Sequence, residues 1–398
     1  MNIQEAQATV QQELAKHHET MIQFLRGLVA IPSHDSQLGP IGDAVGTRMA
    51  DLGFDEVRRD AMGNILGRIG DGPRILLYDS HLDTVGVGDP ASWGWDPFQG
   101  KFENGIIYGL GAGDEKGSTP PMVYALATLK KLGLAKDWTL YYFGNMEEWC
   151  DGISGNALVE HEGIRPDFVV VGEPTNMEIY RGHRGRTEIS VTFKGVSCHA
   201  SAPERGDNAL YKALPFIQGL ERLNEELKTR PDPFLGPGSI AVTYLHASGP
   251  SLNALPDDCS IYLDRRMHPA ETKEVILNEL HALPNADLAE IVVPMYEEPS
   301  YTGFTFPVEK IFPAWALPEE HPFVQAGKLT FESCYGRPAK TGKWVFSTNG
   351  IYWMGKAGIP SIGFGPGEER WAHSVLDQVP ASEVLQCADF YAMLPLFL

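Results

Sequence analysis

Histidines and carboxylates stand at well-separated positions of the sequence, several of them directly after an apolar run. The candidates for chemistry are His81, Asp83, Asp114, Glu147, Glu148, Glu173 and His373. Two histidines with several carboxylates form a nitrogen and oxygen donor set that suits a pair of divalent ions such as zinc. A carboxylate that bridges ions about 3.5 to 4 Å apart lets them polarise a carbonyl and hold a hydroxide between them. These residue types predict a two-metal site for hydrolytic chemistry.

The first pair of candidates lies at the end of an apolar strand, over residues 76–85. The two-residue period of a strand places His81 and Asp83 on the same side. In a metal site the Asp83 carboxylate would accept the second imidazole N–H of His81 and fix its tautomer. A loop histidine beside an ordinary acceptor is the alternative, and the pair alone leaves it open.

Two further acidic motifs admit more than one interpretation. Glu147 and Glu148 follow a strand directly, so one could ligate a metal while its neighbour acts as a general base, or both could be solvated. Asp114 belongs to the glycine-rich turn 111–118. Phosphate binding by this turn is disfavoured, because two acids follow the GxG and the P-loop pattern is missing. Acids in such a turn suit a cation better.

The elements around these residues predict an α/β protein. Strands over residues 76–81, 138–144 and 168–171 each end at a candidate, which is where α/β sheets collect their sites. From residue 187 the order strand, helix, strand, strand, helix, strand predicts an inserted α+β domain. We therefore expect a catalytic domain with a central mixed sheet flanked by helices, over residues 1–181 and 297–398, and an insert over residues 182–296. A single amphipathic helix is predicted for residues 1–28.

The composition and net charge of the chain disfavour some classes of binding partner. The chain has 398 residues, ordinary globular composition and a net charge of -20, which disfavours nucleic acid and anionic membranes as partners. The N-terminus lacks the basic region and apolar core of a signal peptide. Five scattered cysteines without a CxxC motif indicate reduced thiols, and we expect a cytoplasmic protein.

Five ordered blocks resemble the M20 family of metallopeptidases and deacylases, which includes acetylornithine deacetylase. The blocks are His81-Leu82-Asp83, Gly113-Asp114-Glu115-Lys116-Gly117, Glu147-Glu148, Gly172-Glu173-Pro174-Thr175 and Ala372-His373. The resemblance covers nearly the whole chain. It implies a zinc-peptidase-like catalytic domain and a lid and dimerisation domain, with a homodimer formed through residues 182–296.

The same resemblance implies a role for each candidate. One zinc would be held by His81, Asp114 and Glu173, and the other by Asp114, Glu148 and His373. Asp114 would bridge the two ions, Glu147 would be the general base, and Asp83 would support His81. Cobalt or manganese could replace zinc. Family members often have a cis peptide bond after the bridging aspartate, here Asp114-Glu115.

The insert and a later segment supply further candidates through this resemblance. His199 would reach into the partner's active site and help to hold the developing oxyanion. Asn253 and Arg266 match substrate-contacting positions, and Arg266 could clamp a carboxylate, although both could be structural residues of the sheet. The segment 343–350 resembles a branch called selenium-metabolism-linked hydrolases. Its residues Ser347, Thr348 and Asn349 would line the substrate pocket, unless Ser347 or Thr348 only caps a helix.

The implied activity is hydrolysis of an amide bond in a small substrate, either by deacylation of an N-acyl amino acid or by exopeptidase action on a short peptide as a dipeptidase or aminopeptidase. A catalytically silent metal-binding homologue is the alternative from another class. The chain also departs from the family after His373, where Ser374-Val375-Leu376-Asp377 replaces the usual Asn-Glu. That departure leaves open which residues hydrogen-bond to the metal ligands and hold them in position.

Overall fold

The computed structural model of the chain describes residues 2–34, 37–146, 148 and 153–398. Its α-helices are Ile3–Ala15 (α1), His18–Val29 (α2), Gly39–Asp51 (α3), Thr119–Leu132 (α4), Ile153–Glu160 (α5), Ala209–Leu227 (α6), Lys273–His281 (α7), Pro322–Tyr335 (α8) and Ala381–Met393 (α9), with a π-helical segment at Ile351–Lys356. The single N-terminal helix expected from the sequence is two helices, because the chain breaks between α1 and α2 at residues 16–17.

The β-strands are numbered in chain order. They are Glu56–Arg59 (β1), Ile65–Ile69 (β2), Arg74–His81 (β3), Lys101–Glu103 (β4), Ile106–Tyr108 (β5), Trp138–Asn145 (β6), Phe168–Val171 (β7), Ile179–Tyr180 (β8), Gly182–His183 (β9), Gly185–Lys194 (β10), Ser239–Ser248 (β11), Asp258–Met267 (β12), Ala289–Val292 (β13), Met295–Tyr296 (β14), Val308–Glu309 (β15), Ile311–Phe312 (β16), Trp315–Ala316 (β17), Thr341–Gly342 (β18), Ser361–Gly363 (β19) and Gln378–Pro380 (β20).

A mixed sheet in the order β1-β2-β6-β3-β7-β19-β8-β18 forms the centre of the catalytic domain. Its middle strands β6, β3, β7 and β19 run parallel. Most of β3 is buried on both faces, as expected for a central parallel strand between helices. Parallel strands present their carboxyl ends at one edge, so His81 and the residues that follow β6 and β7 meet there. The predicted mixed α/β fold is confirmed.

The insert is an antiparallel sheet in the order β11-β12-β10-β13, with α6 and α7 beside it. Its own apolar core includes Val191, Phe216, Leu263 and Ile276. The order β10, α6, β11, β12, α7, β13 agrees with the sequence pattern. The short strand β16, which the sequence did not indicate, pairs with β10 after the chain has left the insert.

Two short strands connect the insert to the catalytic domain. The outgoing strand β9 pairs with the returning strand β17, and His183 lies opposite Trp315. The buried His183 Nε2 accepts from the Trp315 indole N–H at 2.8 Å and from the Thr348 backbone N–H at 3.1 Å. These two hydrogen bonds join strands β9 and β17, which connect the domains, to the segment that contains Thr348. Within the described ranges, no helix is long and apolar enough to cross a membrane.

Candidate metal centre

A cleft of about 760 Å³ lies at the carboxyl edge of the parallel strands. Its lining from the catalytic domain includes His81, Asp83, Asp114, Glu148, Glu173 and His373. The insert adds Arg186 and Arg266. Histidines, carboxylates and arginines therefore share one cavity, although they come from distant parts of the chain.

Three of the predicted ligands form a buried cluster. His81 ends β3, Glu173 follows β7, and Asp114 lies in the turn between β5 and α4. Their ligand atoms all lie within 4.8 Å of one another. His81 Nε2 is 3.0 Å from Asp114 Oδ1 and 3.7 Å from Glu173 Oε1. This spacing fits donors that surround one small cation.

Asp114 faces the two candidate histidines with different oxygens. Its Oδ1 approaches His81, whereas its Oδ2 lies 3.3 Å from His373 Nε2. The side chain of His373 is 70% exposed, and its φ of 54° turns the chain sharply at that point. A bridging carboxylate needs one oxygen for each ion, and Asp114 offers this arrangement. The peptide bond between Asp114 and Glu115 is cis, as the family resemblance implied.

The chemistry of the buried acids also fits a cation. Burial raises the pKa of Glu173 well above its usual value, and the neighbouring Glu115 and Asp114 raise it further. Among the described residues, no group hydrogen-bonds the buried Glu173 Oε2. A carboxylate oxygen without a donor, facing other acids, is stabilised by a positive ion.

His81 is held by the backbone of Asp83 rather than by its carboxylate. His81 Nδ1 donates to the Asp83 carbonyl at 2.9 Å, and Asp83 Oδ1 is 3.6 Å from that nitrogen. Strand β3 ends at His81, so the two-residue period stops before Asp83. The contact directs Nε2 at the acids, where it could ligate a metal once its proton is released. Asp83 Oδ1 instead accepts the backbone N–H of Glu148 at 3.4 Å.

Of the two adjacent glutamates, the structure describes one. Glu148 borders the cleft, and burial raises the pKa of its carboxyl to about 7. The charge of His81 lowers this pKa, whereas the charge of Asp83 raises it further. Glu147, predicted as the general base, lies outside the described residues. Glu148 lies in the same cleft as the other ligand candidates, and the roles of both glutamates stay predictions.

Two acids that support the ligands were not identified from the sequence. Glu115 Oε1 accepts the backbone N–H of His81. Asp377 accepts the backbone N–H groups of Gly111 at 2.5 Å and Gly113 at 2.8 Å, which fixes the turn that leads into Asp114. Burial raises the pKa of Asp377 to about 8. For Asp377 the sequence signal was the departure from the family pattern after His373.

Ser347, Thr348 and Asn349 do not share one environment. Ser347 borders the cleft, where its hydroxyl lies 3.4 Å from Arg266 Nη1. Thr348 and Asn349 are buried behind it, and Thr348 Oγ1 accepts the backbone N–H of Gly350 at 3.1 Å, as in a helix cap. Arg266 lies in the cleft with its guanidinium paired to both oxygens of Asp264, at 2.7 and 3.0 Å.

His199 and Asn253 lie on two exposed loops of the insert, between β10 and α6 and between β11 and β12, which contact each other. The carbonyl of Asn253 accepts the backbone N–H of Ala200 at 2.8 Å, and His199 Nδ1 accepts from the backbone of Ser201 at 3.1 Å. Both residues are exposed. Neither borders the cleft of the single described chain, so a role at a metal centre would have to be at that of another copy.

Known proteins resemble the chain over nearly its full length. A family model described as the peptidase dimerisation domain of M20 matches residues 181–292. The uncharacterized protein YgeY of Escherichia coli (strain K12) is 43% identical over 388 residues, 96% of each chain. Acetylornithine deacetylase of Shigella sonnei (strain Ss046) is 30% identical over 291 residues, 68% of this chain and 72% of that protein.

A solved structure shows the same fold at low identity. The YXEP protein of Bacillus subtilis, described as a dinuclear metal binding peptidase from the M20 family, superimposes with a TM-score of 0.70 at 13% identity. The match covers 96% of this chain and 98% of that one. With a relative at 30% identity and the matched dimerisation domain, the chain belongs to the M20 family and is a metallohydrolase of the kind that cleaves amide bonds as a peptidase or deacylase.

Proposed function

We propose that the chain uses two divalent ions, zinc in preference to cobalt or manganese, to hydrolyse the amide bond of a small N-acyl amino acid. The observation that carries this proposal is Asp114, whose two oxygens face His81 and His373 separately. Glu173 would complete one set of ligands and Glu148 the other. Nitrogen and oxygen donors in these numbers suit zinc.

When bound, the ions supply Lewis-acid polarisation of the scissile carbonyl and lower the pKa of water. The chain's own residues then orient the substrate and move protons. Glu147 directly precedes Glu148 in the sequence, so we assign it the proton transfer from water to the leaving nitrogen. Asp83, Glu115 and Asp377 hold the ligands in place through the hydrogen bonds described above.

Deacylation is favoured over peptide cleavage by the relatives. The relative that shares 30% identity is named acetylornithine deacetylase, whereas the dinuclear peptidase shares only the fold. A deacylase needs room for a small acyl group and a contact to the amino-acid part, and Arg266 offers its Nη1, which Asp264 does not use, as a donor to a carboxylate. Short peptides remain the second class of substrate.

We propose further that the active form is a cytoplasmic homodimer. The edge strand β11 is exposed along most of its length, and it carries Tyr244 and Leu245 at the surface. Helix α6 adds Tyr211 and Leu214, which are 69% and 45% exposed. A second copy would cover this apolar surface, and it could then bring its own His199 and Asn253 to the neighbouring cleft.

The experiment that tests the activity is reconstitution. Metal-free protein receives one or two equivalents of zinc, cobalt or manganese and is then assayed with N-acetyl, N-succinyl and N-carbamoyl amino acids and with dipeptides. We expect turnover of the N-acyl compounds after the second equivalent. Turnover of dipeptides alone would assign the peptidase activity instead. Silence across all substrates with two ions bound would contradict the proposal and favour a silent homologue.

A variant tests the base. Glu147→Gln should retain two bound ions and lose about 10²- to 10⁴-fold in kcat, which is the usual contribution of a general base. Metal content and turnover are measured on the same sample. Loss of the ions would show that Glu147 ligates them, and unchanged turnover would show that another group moves the proton.

A further inference from the structure

Two arginines lie opposite each other on the insert wall of the cleft. Arg186 on β10 and Arg266 on β12 are direct partners in the antiparallel register. Partners of this kind have Cα atoms about 4.5 to 5.5 Å apart and side chains on the same face. Both residues border the cleft that holds the metal-ligand candidates.

Like charges directly opposite each other destabilise a sheet. Each arginine is oriented by a carboxylate two residues away along its own strand. Arg186 Nη2 lies 3.2 Å from Glu188 Oε1, and Arg266 makes a two-bond fork with Asp264. Glu188 is shared, because it also accepts from Lys310 Nζ at 3.0 Å and from the Tyr262 hydroxyl. Each cation thus has a carboxylate partner on its own strand, which offsets part of the repulsion between them.

The packing of Arg186 fixes its direction as well. Its guanidinium carbon lies 5.1 Å from the centre of the Phe312 ring, which belongs to the short strand β16 that joins the sheet beside β10. A ring beneath a planar guanidinium limits its rotation. The positive charge also acts on the metal-ligand candidate Glu148, against the pKa rise that burial causes there. Arg186 is therefore within electrostatic reach of the metal centre.

We propose that Arg186 and Arg266 together bind the carboxylate of the substrate, and that Arg186 determines the preference for an acid over its uncharged analogue. An anion between the two guanidinium groups would offset their repulsion and accept hydrogen bonds from N–H groups that Asp264 and Glu188 do not use, such as those on Arg266 Nη1. This inference rests on the proposed amide hydrolase function, since it names the group that the amino-acid part of the substrate presents. Sequence reasoning had singled out Arg266 and passed over Arg186.

The test compares an N-acyl amino acid with its carboxamide, in which only the negative charge is removed. The variants are Arg186→Met, which keeps the length of the side chain, and Arg186→Lys, which keeps its charge. Arg184→Met is the matched control, because Arg184 donates to the Pro237 carbonyl at 3.1 Å and does not border the cleft. We expect Arg186→Met to lower the acid-to-amide ratio of kcat/KM at least tenfold, Arg186→Lys to lower it less, and Arg184→Met to change it less than threefold.

A binding measurement separates this inference from the proposed function. Calorimetry with N-acetylglycine and N-acetylglycinamide on the protein as purified reports recognition even if neither is hydrolysed. Weaker binding of the acid in Arg186→Met, with a smaller change for the amide, supports the inference, and absence of turnover would then count only against the proposed function. Equal binding of the acid by both proteins, or an equal loss for acid and amide, would overturn it.

Discussion

Asp377 gives the sharpest test of how the metal centre is supported. Its side chain is buried, and its two oxygens accept the N–H groups of Gly111 and Gly113. The turn so fixed carries Asp114. There is no room for the turn to shift inward, because a Cβ at Gly113 would lie 2.8 Å from the Gln378 carbonyl oxygen. Asp377 should therefore control the position of the bridging carboxylate without ligating a metal itself.

The variant Asp377→Asn keeps the shape and replaces one acceptor oxygen with an amide nitrogen. One buried backbone N–H is then left without an acceptor, which costs about 1 to 3 kcal/mol. If that free energy falls on the metal-bound state, affinity drops about 5- to 150-fold, which matches the about 10- to 100-fold effect usual for residues behind metal ligands. We expect weaker metal binding in this range, and recovery of most of the turnover at saturating metal.

The assay is a chelator competition that gives the metal dissociation constant, paired with urea unfolding. Asp232→Ala is the control, because it removes Asp232 Oδ1, which accepts the backbone N–H groups of Phe234 at 2.8 Å and Leu235 at 2.7 Å in a loop of the insert. The control should lose stability and keep its metal affinity. If both variants lose stability while Asp377→Asn binds metal as tightly as the wild type, the reasoning about the turn is wrong.

Three more predictions follow from buried groups and from the exposed strand. Burial raises the pKa values of Glu148 and Asp79 to about 7. Between pH 5 and 7 the folded metal-free chain therefore keeps protons on these two carboxyl groups that the unfolded chain has released. The free energy of unfolding, measured by urea titration with a chelator present, should fall as the pH rises through this range. His183→Ala should lower the free energy of unfolding by about 2 to 6 kcal/mol, because two buried N–H donors lose their acceptor, whereas the exposed His281→Ala should change it little in the same titration. Leu245→Asp on β11 should give a monomer by light scattering and lower turnover if another copy completes each cleft, and a dimer with wild-type turnover would contradict the proposed interface.

Much of the metal centre could be predicted because the ligands sit where strands end. An apolar run predicts a strand, and the carboxyl ends of parallel strands lie at one edge of the sheet, so His81 and Glu173 could be located there, while their roles came from the family resemblance. The insert was equally accessible, because its order of strands and helices follows from periodicity. These features depend on short stretches of sequence, where local pattern and tertiary position agree.

Contacts that depend on distant residues were not accessible. The prediction that the two-residue period of the strand extends from His81 to Asp83 was wrong, because the strand ends at His81. The sequence around His81 contains no signal for that strand end. The bond from Asp377 to Gly111 joins positions 266 residues apart. The proposed role of Arg186 could not be predicted, because it depends on the pairing of Arg186 with Arg266 across two strands. The register of that pairing is a property of the sheet, and neither strand's own sequence determines it.

The buried acids explain why metal binding and folding should be coupled here. Asp114, Glu115, Glu173 and Asp377 are almost fully removed from water, and isolated carboxylates in such places are destabilising unless they are paired or protonated. The buried Lys116 Nζ donates to the carbonyls of Leu28 at 3.2 Å and Ile31 at 3.1 Å, and burial lowers the pKa of its amine to about 7, so its positive charge is only a partial counterweight to these acids. Positive charge from bound ions would therefore stabilise the folded chain directly, by about 4 kcal/mol at a thousandfold excess of free metal over its dissociation constant. The cluster of buried acids that suits metal-dependent hydrolysis therefore makes the metal-free chain less stable than the metal-bound chain.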